Sequence, residues 1–186
     1  ATPRARRSVS NPASQRALLV EQQGAMTFEG PAGPFTMKAY ADRIELSSSG
    51  AAVMDFKTGA APSPKQIKAG VAPQLTLTAA ILAEGGFEGT RGAVTPEELT
   101  YVRVVGRKVA GETAIRASGA EAVALAEAAL TGLKARVAKF DDPRTAYVSW
   151  AAPQFMGSFG GNYAHLARVW EWHVIGDDNT DAGGGE

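Results

Sequence analysis

The chain has 186 residues, 45% apolar and 20% charged, the proportions of one globular domain with a sizeable core. Lys plus Arg number 19 and Asp plus Glu number 19, which excludes an overall polyanion-binding charge. The absence of cysteine excludes disulfides and thiolate-held clusters, an iron–sulfur cluster included, within this chain. No apolar run reaches membrane-spanning length, and the N-terminus lacks the apolar stretch of a signal peptide. This pattern, without cysteine, predicts a cytoplasmic protein with no membrane partner. The chain opens Ala-Thr-Pro without an initiator Met, as a processed product or a piece of something longer would.

Charge is uneven along the chain. Arg4, Arg6, Arg7 and Arg16 crowd the first residues with no acid, whereas Asp177, Asp178, Asp181 and Glu186 end the chain with no base. The expected organisation is a basic flexible segment over 1–16, one domain over 17–175 and an acidic, Gly-rich disordered tail over 176–186. The alternative for the arginines is an arm that touches DNA.

In chain order, residues 17–29 predict an irregular strand. "GPAG" (Gly30–Gly33) is turn chemistry, and Pro34–Leu46 reads as a long strand. "SSSG" (Ser47–Gly50) is a loop, followed by a strand through "AAVMDFKTG". Ser63 suits a helix cap and Pro64 the first helical position. Gly70 and Pro73 interrupt the helix, and a second helix is expected from about Ala72 to Glu84, ended by Gly85–Gly86. Glu98–Gly106 and residues 111–117 predict further strands. Ser118 and Glu121 have the spacing of a capping box ahead of a long helix. Its stripe of Val123, Ala126, Leu130, Leu133 and Val137 should be buried, and Asp142-Pro143 closes it. A strand at "TAYVSW" and a short helix around "YAHLARVWEW" complete the expected order. The fold class is α/β with a mixed central sheet flanked by helices.

The chemistry centres on "VMDFKTG" (Val53–Gly59). If the strands around Ser47–Gly50 form a hairpin centred between Ser48 and Ser49, Asp42 lies directly opposite Asp55. Opposed residues have Cβ atoms roughly 4.5–5.5 Å apart. Lys57 shares the face of Asp55, while Met54 and Phe56 are expected to point the other way into apolar packing. Facing carboxylates repel unless one is protonated, both are well solvated, or a cation sits between them. An all-oxygen donor set suits Mg²⁺ or Mn²⁺. Two acids, such an ion and a lysine have the chemistry for phosphodiester hydrolysis. A one-residue slip in register would send one acid to the other face.

"YADRIEL", "VMDFKTG" and "APSPKQIKAGVAPQLTLTAAIL", in that order, resemble the nuclease module of the PD-(D/E)XK superfamily, RecB-like branch. With "GGF" and "LARVWEW" they are most similar to the C-terminal part of AddB-type helicase–nuclease subunits, which act in bacterial double-strand break repair. The resemblance runs from about Glu21 to Trp172. It implies a restriction-endonuclease-like fold, with Asp42, Asp55 and the main-chain carbonyl of Phe56 as ligands of Mg²⁺ or Mn²⁺. By the same resemblance Lys57 would position the attacking water, and Gln74 would hold the lysine or the scissile phosphate. The implied reaction is in-line attack of water with departure of the 3′ oxygen, leaving a 5′-phosphate. Implied partners are DNA, an AddA-type subunit and the rest of a parent chain, in a bacterial, nucleoid-associated setting.

The chain departs from that pattern in three respects. Relatives take a further ligand, often His, from an upstream helix, yet the two histidines here, His165 and His173, lie far downstream. Thr78 stands where many relatives have a Tyr four residues after the helix Gln. The cysteines that hold an iron–sulfur cluster in some AddB-type subunits are absent. The missing upstream ligand motivates a rival expectation: a nuclease-fold module that no longer cuts and serves for DNA binding or docking. Among other residues, Glu21 is either a third acid beside Asp42 or an exposed strand glutamate. Lys65 and Lys68 either contact DNA phosphates or form a solvated face. His165 reads as a surface or capping residue. Trp170 and Trp172, two apart, cannot share a helix face.

Overall fold

The computed structural model describes residues 17–106 and 111–147. The chain divides into two compact units, Ala1–Asp141 and Asp142–Glu186. In the second unit the described residues contain a turn in which Arg144 pairs with Asp142 at 2.9 Å, and Thr145 to Tyr147 carry no regular structure. The rest of the strand expected at "TAYVSW", the helix around "YAHLARVWEW", His165, Trp170, Trp172 and both charged ends lie outside the described residues.

The first unit is a five-stranded mixed sheet in the order β1-β2-β3-β4-β5 with flanking helices, a restriction-endonuclease-like α/β arrangement. Strand β1 (Ala17–Gly30) pairs with β2 (Gly33–Leu46) around the Pro31-Ala32 turn. The Ser47–Gly50 loop leads to β3 (Ala51–Lys57), antiparallel to β2 with Arg43 facing Met54 and Ile44 facing Val53. That is the register expected from centring the loop. Helices α1 (Pro64–Lys68) and α2 (Gln74–Ala83) then cross over to β4 (Pro96–Val104), which runs parallel to β3. Strand β5 (Gly111–Ser118) returns antiparallel, and α3 (Ala120–Phe140) follows at once.

Helix α2 is buried nearly all round, as a helix wedged between a sheet and a second helix must be. Its core residues Leu75, Ala79, Ile81 and Leu82 join Ile44, Val53, Leu99, Ala117 and Phe87 in one cluster. The buried hydroxyls of Thr76 and Thr78 bond back to Pro73 O and Gln74 O, so neither is orphaned. Phe87 lies against Gly24, where a Cβ would collide with the ring, and the Ala25 N–H donates to Gly86 O at 2.9 Å. This ties the end of α2 to β1.

Three expectations are corrected. The helix expected from Ala72 to Glu84 spans Gln74–Ala83, because Pro73 occupies its cap position. Ser118 and Glu121 make no capping box, since Ser118 is the last residue of β5, paired with Glu98. The chain turns from strand to helix at Gly119, whose φ of 54° is a left-handed value that glycine adopts freely. Of the α3 stripe only Ala126 is buried, with Ala122 beside it. Val123, Leu130, Leu133 and Val137 are half-buried, because the helix outruns the core toward the β1–β2 turn, where Asp141 accepts from the Ala32 N–H.

Candidate active site

The core-facing side of the β1–β2 ribbon changes phase along its length. Near the turn, Gly24, Met26 and Phe28 of β1 and Met37, Ala39 and Ala41 of β2 face inward. Toward the other end Leu19 of β1 and Ile44 and Leu46 of β2 do so. Both strands switch at the same level, where Glu21 stands across from Asp42. The ladder pairs Val20 with Arg43 and Gln22 with Ala41 but skips this level, and Glu21 has φ 50°. Asp42 therefore sits at a break in the ladder. Glu21 is exposed, and among the described residues no group of three or more acids or histidines able to hold a metal includes it, so the reading as a solvent-facing glutamate stands.

The β2–β3 ladder also stops at Arg43–Met54, one residue short of the acids. The Asp42 side chain fills the gap by accepting the Phe56 N–H on Oδ2 at 2.8 Å. Asp55 shares its face with the buried Val53 and is 5% exposed. Phe56 alternates outward and is 43% exposed, and Met54 is half-buried, which corrects the expectation that this pair fills apolar packing. The helices cover the face that carries Asp55 instead, so the acid itself is enclosed.

Lys57 Nζ lies 2.7 Å from Asp55 Oδ2 and donates to Gln74 Oε1 at 2.9 Å. Gln74 is the first residue of α2, so the break at Gly70–Pro73 sets the direction from which it meets the lysine. Asp42, Asp55, Lys57 and Gln74 are thus gathered at the carboxyl end of β3, beside its parallel neighbour β4. Thr78, one turn along α2, is buried and points its hydroxyl back at its own helix. Lys68 is exposed and paired with Glu121 at 3.2 Å, and Lys65 is exposed.

The charge of Asp55 is set by burial and by two charged neighbours. Burial raises the Asp55 pKa above the ordinary 3.8, the Lys57 ammonium pulls it down, and the Asp42 charge pushes it up. Net, the carboxylate is disfavoured. Its Oδ2 is buried against the Lys57 ammonium at 2.7 Å, and that single cation does not outweigh the cost of burial. A buried carboxylate is costly unless its charge is well compensated. Asp42 and Asp55 would together offer oxygen donors to a hard cation that offsets this charge, so the donors present fit a divalent ion held by oxygen. Among the described residues no third His, Asp or Glu joins these two acids.

One residue of the site escaped the sequence reading. Tyr101 of β4 pairs with Asp55 in the parallel ladder and is 1% exposed, with its ring 5.7 Å from Lys57 Nζ. Its phenol is pushed up to about 12, by burial first and then by the Asp55 charge, against the opposing Arg116. Within "ELTYVRVVG" it looks like any strand aromatic; only the register between β3 and β4 brings it to the acid.

Residues 2–149 match the family model described as the PD-(D/E)XK nuclease superfamily. The chain belongs to the PD-(D/E)XK nuclease superfamily. Members of this superfamily are nucleases that generally use divalent metal ions, in keeping with the oxygen donors just described. Over 48 residues this superfamily member is 46% identical to the uncharacterized protein RC0550 of Rickettsia conorii, covering 25% of this chain and 6% of that protein. A Rickettsia felis protein matches to the same extent, 46% over 48 residues, again 25% of this chain and 6% of its own length. The matched stretch thus spans a small part of these relatives. Among solved structures it is similar to the crystal structure of SSO0001, with a TM-score of 0.35 and 16% identity over 61% of this chain and 50% of that one.

Proposed function

We propose that this domain is a Mg²⁺- or Mn²⁺-dependent DNA nuclease of exonuclease type. In this reading it belongs to a RecB-like, AddB-type helicase–nuclease that processes double-strand break ends. The observation that carries the nuclease reading is the buried Asp55 carboxylate, its pKa raised chiefly by burial, beside a second carboxylate and a lysine. Asp42, Asp55 and the Phe56 carbonyl would hold the ion. When bound, such an ion offsets charge that builds on a phosphoryl group.

The chain's own residues do the rest. The Asp42–Phe56 hydrogen bond fixes the first acid against the end of β3. Lys57, held between Asp55 and Gln74, presents an ammonium that orients water and steadies the negative charge of the transition state. Burial of Asp55 lowers the local dielectric and strengthens each of these contacts.

The order of "YADRIEL", "VMDFKTG" and the Gln74 helix supports the RecB-like, AddB-type assignment, and with it a cytoplasmic, nucleoid-associated setting. The balanced charge supports delivery of DNA by a larger assembly, including the rest of a parent chain and an AddA-type subunit, because an isolated neutral domain binds DNA weakly. The test is degradation of linear DNA with Mg²⁺. Lys57→Ala is expected to slow it about 10²–10³-fold, the effect of removing one preorganised donor. Equal rates for the two proteins would remove Lys57 from the chemistry. Failure of the wild type to cut would favour a DNA-holding or docking module.

A further inference from the structure

We propose that Tyr101 is a positioning residue of this site, its ring the floor that fixes the Lys57 ammonium between Asp55 and Gln74. The inference rests on the nuclease reading and deepens it. A lysine is a compact charge on a flexible stem, and its usefulness depends on what holds it. Here two acceptors hold it from β3 and α2, at 2.7 Å and 2.9 Å. The third contact is the face of Tyr101, 5.7 Å from Nζ to the ring centroid, within cation–π range.

The ring's placement follows from the fold. The parallel ladder pairs Val53 with Leu99 and Asp55 with Tyr101, setting the ring beside the acid and below the lysine. Tyr101 is 1% exposed and lies among the largest buried side chains, so its rotamer is fixed by packing. A ring attracts the ammonium without offering a carboxylate that would bind the cation outright. It holds Lys57 in place and leaves both acids to their own task.

Tyr101→Phe keeps the ring, whereas Tyr101→Leu keeps an apolar side chain and removes it. Two readouts separate a floor from a mere core residue. In protein labelled with ¹³C at lysine ε carbons, the Lys57 signal, assigned by its loss in Lys57→Arg, is expected to carry a ring-current shift. That shift persists in the Phe variant and collapses in the Leu variant. In DNA hydrolysis with Mg²⁺, the Leu variant is expected to lose about tenfold in kcat with KM within about twofold, and Phe to restore the wild-type rate. If the Leu variant does not fold, Tyr101→Met provides the same comparison, with thermal unfolding as the control. The proposal is overturned if the Lys57 signal is the same in wild type and the ring-less variant, or if Phe loses as much rate as Leu. A wild-type chain that cleaves no DNA sinks the nuclease reading instead, and the lysine signal then decides the placement of Lys57 alone.

Discussion

From the Gly30–Gly33 turn to the Gln22–Ala41 pair, the β1–β2 ribbon is an unbroken antiparallel ladder. Its side chains pair across the strands, Thr27 with Thr36 through hydroxyls 2.8 Å apart and Phe28 with Phe35 at 5.3 Å between ring centroids. Its tip is tied to α3 through Asp141. One level further, at Glu21 and Asp42, the ladder lapses, and beyond Arg43–Met54 the pairing of β2 with β3 lapses too. There a carboxylate does the work of a backbone carbonyl by taking the Phe56 N–H. The regular half spends its polar groups on itself. The irregular half buries an acid whose charged form is disfavoured beside a second acid and a lysine, where a bound cation would be stabilising.

Substitutions in the two halves should therefore separate rate from stability. The largest effect is expected for Asp42→Asn, which keeps an acceptor for the Phe56 N–H but removes the charge. DNA hydrolysis should fall about 10²–10³-fold while the melting temperature stays near wild type. Asp42→Ala should show the same loss of rate and, in addition, about 1 kcal/mol of lost stability, because the N–H then has only water. A melting temperature that drops equally in the Asn variant would contradict the capping role.

In the regular half, Phe28→Ala removes a half-buried ring that packs on Phe35 and lies under Lys134. About 1–2 kcal/mol of stability should be lost, below the range for a fully buried Phe, with kcat unchanged. A matching fall in kcat would show that the two halves are coupled.

The smallest effect is a pH dependence at Asp55. Its pKa in the fold lies above 3.8, so between 3.8 and the raised value the native chain holds more protons than the unfolded one. Stability from this group is therefore present at low pH and declines as pH rises through that window. Asp55→Asn should abolish the decline and be the more stable protein at neutral pH without divalent ions, measured by urea unfolding across pH. Mg²⁺ should stabilise the wild type and leave the variant unmoved. A wild type that gains stability relative to Asp55→Asn as pH rises through the window would reverse the sign assigned to this group.

Much of this site could be read along the chain because it is built from a hairpin. "GPAG" and "SSSG" fix both turns, the turn fixes the register, and the register brings Asp42 and Asp55 to the same end of the β2–β3 pairing, one residue past its last pair. Gln74 was reachable through the resemblance, which supplied the helix that meets the lysine. Residues brought in by distant pairing were not legible. Tyr101 depends on a parallel register set across two helices, and no local pattern encodes it. Phe56 was misplaced because alternation tells which residues share a face but not which face the helices will cover. Ser118 and Glu121 have the spacing of a cap, yet β5 runs to the end of Ser118 and the corner falls to Gly119.

The central claim is that Asp42 and Asp55 share one divalent ion, and calorimetric titration with Mn²⁺ tests it most directly. The account predicts one ion per wild-type chain and loss of that binding in both Asp42→Asn and Asp55→Asn, with each variant folded. Undiminished binding in either variant, or none in the wild type, would contradict it.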